Sequence, residues 1–107
     1  MKNYPNNITT TYEYVDGNGY IELELSEEII RLCSHNGDCD EDTRRCIQLP
    51  EIRNQFKNIS DDTLFKSLRE VLSDETDDEI RNMTRETKEQ YALWIACCNA
   101  MEEGNIP

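Results

Sequence analysis

The stretch Cys33-Ser34-His35-Asn36-Gly37-Asp38-Cys39, with Cys46 beyond it, gathers three of the chain's five cysteines and its single histidine. Three thiolates and one imidazole would make a closed tetrahedral set for structural zinc. The spacing argues against that use. Cys-x-His-x3-Cys-x6-Cys contains no short Cys-x2–4-Cys knuckle, and Cys46 falls where a helix needs an apolar residue anyway. Small core cysteines are the simpler account of Cys33 and Cys46. No cofactor is expected.

The same segment offers two other chemistries. Asp38, Asp40 and Asp42 have the one-three-five spacing of a calcium loop, which then needs glycine at the sixth place and a bidentate glutamate at the twelfth. Thr43 and Leu49 stand there, so the turn and the strongest ligand are both missing. A Cys-His nucleophile would have to use His35 with Cys33 or Cys39. An acidic neighbourhood raises a thiol's pKa instead of activating it. There is no Gly-rich phosphate loop, G-x-S-x-G or H-E-x-x-H. The sequence predicts a protein that is not an enzyme.

Charge points elsewhere. Residues 1–50 carry 10 acids and 4 bases, and residues 51–107 carry 13 and 7, so each half stands at −6 and the whole chain at −12. Phosphate neutralisation needs a positive face, so direct nucleic-acid binding is not expected, and an anionic membrane would repel the chain. The run Asp74-Glu75-Thr76-Asp77-Asp78-Glu79 concentrates carboxylates between two apolar segments. Together with Glu22 and Glu24, the acids Asp74, Glu75, Asp77, Asp78 and Glu79 form the predicted partner-binding surface, one that attracts a basic groove by long-range steering. Capping and solvation are the plain alternative for the same residues.

The elements that position these groups follow from periodicity. Residues 1–11 are polar and rich in Asn and Thr, which predicts an irregular lead-in. From Tyr12, apolar and polar residues alternate on both sides of Asp16-Gly17-Asn18-Gly19, the pattern of a β-hairpin over 12–25 with Ile21, Leu23 and Leu25 turned inward. Helices fill 26–103. Ser26 caps the first of them, which runs to about Cys33. Asp38 or Asp40 caps the second, which buries Cys46, Ile47 and Leu49. Pro50 opens the third, over Ile52, Phe56 and Ile59. Ser60 caps the fourth, over Leu64, Phe65, Leu68, Val71 and Leu72.

The capping box Thr76–Glu79 then opens one long helix from Asp77 to Glu103, roughly 40 Å in length and closed by Gly104. Ile80, Met83, Thr84, Thr87, Tyr91, Trp94, Ile95, Cys98 and Met101 recur at three- and four-residue spacing, so this face is expected to meet the core. Tyr91 to Cys98 is uncharged all the way round and predicts a segment wrapped by its neighbours. Ala92, Ala96 and Ala100 form a stripe that lets another helix approach, in the same fold or in a homodimer. Arg81, Arg85 and Lys88 read as a solvated basic strip, partly paired with Glu86 and Glu89.

The predicted fold is therefore α+β, predominantly α: a single domain, 1–107, with an N-terminal β-hairpin packed on a small helical bundle around a long C-terminal helix. No run of 18 apolar residues exists, so no transmembrane helix is expected. The N-terminus lacks an apolar signal-peptide core, which predicts a cytoplasmic protein. In general character the chain is similar to small phage or mobile-element proteins that block a host enzyme by binding it, a likeness of composition and not of motif. It implies an inhibitor that occludes a basic, nucleic-acid-binding surface on a host defence or nucleic-acid-processing protein, and residence in the host cytoplasm. Two other classes stand beside it: an accessory subunit that oligomerises through its long apolar helix, and a zinc-stabilised interaction module.

Overall fold

The structure is a computed structural model and describes residues 8–14, 19–34 and 41–102. Its elements are β1 (Ile8–Tyr14), β2 (Gly19–Leu25), α1 (Glu27–Ser34), α2 (Glu41–Ile47), α3 (Pro50–Phe56), α4 (Asp61–Val71), α5 (Asp77–Arg81) and α6 (Arg85–Glu102). This is the α+β, predominantly α class that periodicity predicts, with a hairpin packed against helices.

The strands pair antiparallel, from Ile8 opposite Leu25 to Tyr14 opposite Gly19. The first strand thus begins at Ile8 and not at Tyr12, which corrects the lead-in expected over 1–11. Thr9, Thr10 and Thr11 look like loop residues by polarity, but β-branched side chains suit a strand, and each has a cross-strand partner. The turn residues Asp16, Gly17 and Asn18 lie outside the described residues. In β2 the alternation is obeyed: Ile21, Leu23 and Leu25 are buried while Glu22 and Glu24 are exposed.

Local signals set most helix starts. The Ser26 hydroxyl accepts from the Ile29 amide at 3.2 Å and the Ser60 hydroxyl from the Thr63 amide at 3.1 Å. Pro50 sits at the start of α3, where its missing amide hydrogen is no loss. Thr76 and Glu79 close a full capping box: the Glu79 amide donates to the Thr76 hydroxyl at 3.1 Å, and the Thr76 amide donates to the Glu79 carboxylate at 2.7 Å. Asp38 and Asp40, the expected caps of α2, lie outside the described residues.

The long C-terminal helix is shorter than predicted. The chain breaks at Asn82-Met83-Thr84, between α5 and α6. Thr84 is itself a cap, accepting from the Thr87 amide at 3.1 Å. Its spacing had placed it on an apolar face, and a hydroxyl at a helix start satisfies an amide better than it packs. Glu103 and Gly104, the predicted end and closure, fall outside the described residues.

Core side chains from β2 and all six helices form one cluster, with Phe56, Leu64, Leu68, Ile80 and Leu93 fully buried in it. Each such side chain contributes about 1.5–3 kcal/mol relative to exposure. Helix α6 is wrapped by α1, α4, α2 and both strands, as its uncharged centre requires. Its buried face differs from the predicted one. Lys88, Ala92, Leu93, Ile95, Ala96, Cys97 and Ala100 are buried, Tyr91, Trp94 and Cys98 are half-buried, and Met101 is exposed. The alanines lie on the buried face, where small side chains let neighbouring elements approach closely. Leu49 and Val71, expected in the core, are also exposed; Leu49 lies past the end of α2, as the cap residue before α3, and Val71 is the last residue of α4.

The basic strip is put to structural use. The Arg85 guanidinium pairs with Asp61 and Glu89 and donates to the carbonyls of Phe56 at 2.8 Å and Ile59 at 2.6 Å. It thereby ties the α3–α4 connection to the start of α6. Arg81 lies 3.8 Å from the centre of the Phe65 ring, and Lys88 is buried.

Candidate functional site: two acid-rimmed clefts

Gln55 links α3 to the open edge of the hairpin. Its side-chain oxygen accepts from the Glu24 amide at 2.8 Å, and its side-chain nitrogen donates to the Glu24 carbonyl at 2.8 Å. The amide thus stands where a third strand would pair, which blunts that edge. This bridge holds α3 away from the start of α1 and leaves a cleft of about 620 Å³ between them. Leu25, Ile29, Leu49 and Ile52 are its apolar lining residues, and Glu24, Glu28 and Glu51 its acidic ones. No lysine or arginine lines it among the described residues. Leu49 is 37% exposed, and this cleft is where its surface opens.

A second cleft, of about 240 Å³, lies between the end of α4 and the outer side of α6. Val71, Leu72, Ser73, Asp74, Glu75, Tyr91 and Trp94 line it. The Tyr91 and Trp94 rings meet edge to face, 6.4 Å between centres at 71°. The Trp94 Nε1 is shielded from solvent and has no hydrogen-bond partner among the described residues.

The predicted acidic surface is therefore divided. Glu24 belongs to the larger cleft, Asp74 and Glu75 to the smaller one, and Glu22 is exposed on the outer face of β2. Asp77 and Asp78 are exposed in the first turn of α5. Glu79 completes the capping box, and hydrogen bonds from the Thr76 backbone and hydroxyl hold its carboxyl below the usual range. Its role is local. Sequence reasoning missed Glu51 as a site residue because it sits in a first turn, where the helix dipole already accounts for an acid. It missed the second cleft because Tyr91 and Trp94 read as core.

Of the zinc set, Cys33 and Cys46 come together, with the Cys33 thiol donating to the Cys46 sulfur at 3.3 Å. His35 and Cys39 lie outside the described residues. The Cys46 contact pulls the Cys33 pKa down, but the contact with Cys97 and burial outweigh it and push the thiol up to about 12. A thiol held protonated at neutral pH is a packing group and a poor nucleophile. Among the described residues, no group of three or more His, Cys, Asp or Glu is arranged to hold a metal ion. Cys98 points away from Cys97, and its thiol donates to the Ser34 carbonyl at 3.8 Å. Burial raises its pKa, with Glu102 adding to the effect.

No family model matches the chain, and no solved structure does. Among curated proteins, an inactive protein tyrosine kinase pTKL of Plasmodium berghei (strain Anka) is 37% identical over 46 residues. That stretch is 43% of this chain and 4% of the kinase. So small a share carries none of that protein's properties to this one. Among the described residues, no helix is long and apolar enough to cross a membrane.

Proposed function

We propose that the chain is a non-enzymatic binding protein whose larger cleft grips a basic, partly apolar segment of a protein partner. The observation that carries this is the lining itself: the acidic residues Glu24, Glu28 and Glu51 beside Leu25, Ile29, Leu49 and Ile52. Such a surface accepts an apolar side chain flanked by lysine or arginine. Its volume of about 620 Å³ lies within the roughly 300–1,000 Å³ of ordinary binding pockets. A chain at −12 draws basic partners by steering and repels nucleic acid. Occlusion of a nucleic-acid-binding groove is the inhibitory form this binding would take, in the cytoplasm and, for a phage-encoded chain, in the host's.

The test uses a synthetic peptide with one leucine between pairs of arginines, titrated at 50 and 300 mM salt. Binding is expected to weaken steeply with salt, since exposed charges are screened beyond about 8–10 Å near physiological ionic strength. Glu24→Gln, Glu28→Gln and Glu51→Gln together are expected to abolish it. Salt-independent binding, or binding untouched by the triple variant, would overturn the proposal.

A further inference from the structure

The smaller cleft has a different chemistry, and it does not depend on how the larger one is used. Its volume, about 240 Å³, is below the ordinary range of ligand pockets, so it suits one side-chain group and not a cofactor. Tyr91 and Trp94, edge to face at 71°, offer aromatic surface in two directions, and Asp74 and Glu75 add negative charge beside it. No lysine or arginine lines it among the described residues. An aromatic face attracts a cation through its quadrupole, and tryptophan does so best.

Trp94 is also a costly residue for mere packing. Its Nε1 is shielded and unpartnered among the described residues, so phenylalanine would fill the place without stranding a donor. Carboxylates alone would favour a strongly hydrated primary ammonium. Adding aromatic faces favours a cation that sheds water easily, which means an alkylated one.

We propose that Asp74, Glu75, Tyr91 and Trp94 form a receptor for an alkylammonium group, occupied by the methylated lysine side chain of a protein partner.

Trp94 is the only tryptophan in the chain, so its fluorescence reports on the cleft directly. The probes are Nα-acetyl amides of Nε-trimethyl-lysine, of unmodified lysine, and of the carbon isostere that carries tert-butyl in place of trimethylammonium. Trimethyl-lysine is expected to saturate and to bind roughly ten-fold tighter than lysine, with the neutral isostere failing to bind. Asp74→Asn with Glu75→Gln, on exposed residues that leave the core intact, is expected to weaken trimethyl-lysine several-fold. Trp94→Phe, followed by calorimetry, is expected to weaken it as well while retaining the fold by circular dichroism.

Isostere binding equal to that of trimethyl-lysine would mean a merely apolar pocket. Lysine binding as tightly would remove the preference for alkylation. No saturable binding of any probe, or binding indifferent to these variants, would also overturn the proposal. None of these outcomes touches Glu24, Glu28 or Glu51, so they leave the larger cleft's assignment to its own test.

Discussion

The two sides of α6 are built from neighbouring residues and do opposite things. On its inner side the helix presents Ala92, Leu93, Ala96, Cys97 and Ala100, all fully buried. Toward the end of α4 it presents Tyr91 and Trp94, half-buried beside the Asp74–Glu75 cleft. The small residues make the structural face and the large aromatics the open one. Side-chain size is therefore a poor guide to which side of a uniformly apolar helix forms the core. Close approach of two backbones buries alanine completely and leaves tryptophan, which needs more room, at the margin.

Substitutions on the two sides separate these roles. Leu93→Ala is expected to cost about 2–5 kcal/mol, because the side chain is fully buried and the space it leaves cannot collapse. Trp94→Ala is expected to cost less than Leu93→Ala, since the cleft already exposes part of the ring. Denaturant unfolding of both variants measures the difference, and a larger loss at Trp94 would reverse the assignment of the faces. Ala96→Leu comes next, at about 1–3 kcal/mol from overpacking a fully buried site. A homodimer formed through the alanine stripe would instead leave the monomer's stability unchanged and alter its sedimentation.

A smaller effect tests the capping box that opens α5. Thr76 lowers the Glu79 pKa through backbone and hydroxyl hydrogen bonds, and Arg85 lowers that of Asp61 by hydrogen bond and charge. A carboxyl with a depressed folded pKa stabilises fully above its unfolded value, about 4, and loses that stabilisation as pH falls through the folded value. Glu79→Gln keeps an acceptor for the box and removes the titration. The stability difference between wild type and this variant is therefore expected to be constant from pH 7 to 5 and to shrink below pH 4. Melting curves across that range measure it.

The smallest expected effect is that of metal removal. Cys33 and Cys46 sit in an apolar cluster, so purification in chelator is expected to leave the helical circular dichroism and the cooperative melt in place. Unfolding in chelator with stoichiometric zinc release would bring His35 and Cys39 back as ligands.

How much of this the sequence revealed depends on the range of the interaction. Ser26, Pro50, Ser60 and Thr76 act on amides within three residues, or on their own, and their helix starts were legible. The break at Thr84 was not, because threonine at three-residue spacing from Thr87 fits an apolar face as well as a cap. Ile8 to Thr11 are all β-branched, a strand signal that their polarity and lack of apolar alternation hid until the pairing with β2 was seen. The clefts were beyond local reading altogether. Glu24 meets Gln55 across 31 residues, and Asp74 meets Trp94 only because α4 turns back against α6. The acids were legible as acids; their apolar and aromatic company was not.

The most direct test of the account is a nuclear magnetic resonance titration of the isotope-labelled protein with the arginine–leucine–arginine peptide. The account predicts shifts concentrated on Glu24, Leu25, Glu28, Ile29, Glu51 and Ile52 that fade at 300 mM salt, with the resonances of α6 unmoved. Shifts spread evenly over every exposed carboxylate, Asp77 and Asp78 included, would contradict it, because the acidity would then attract basic chains without any site to hold them.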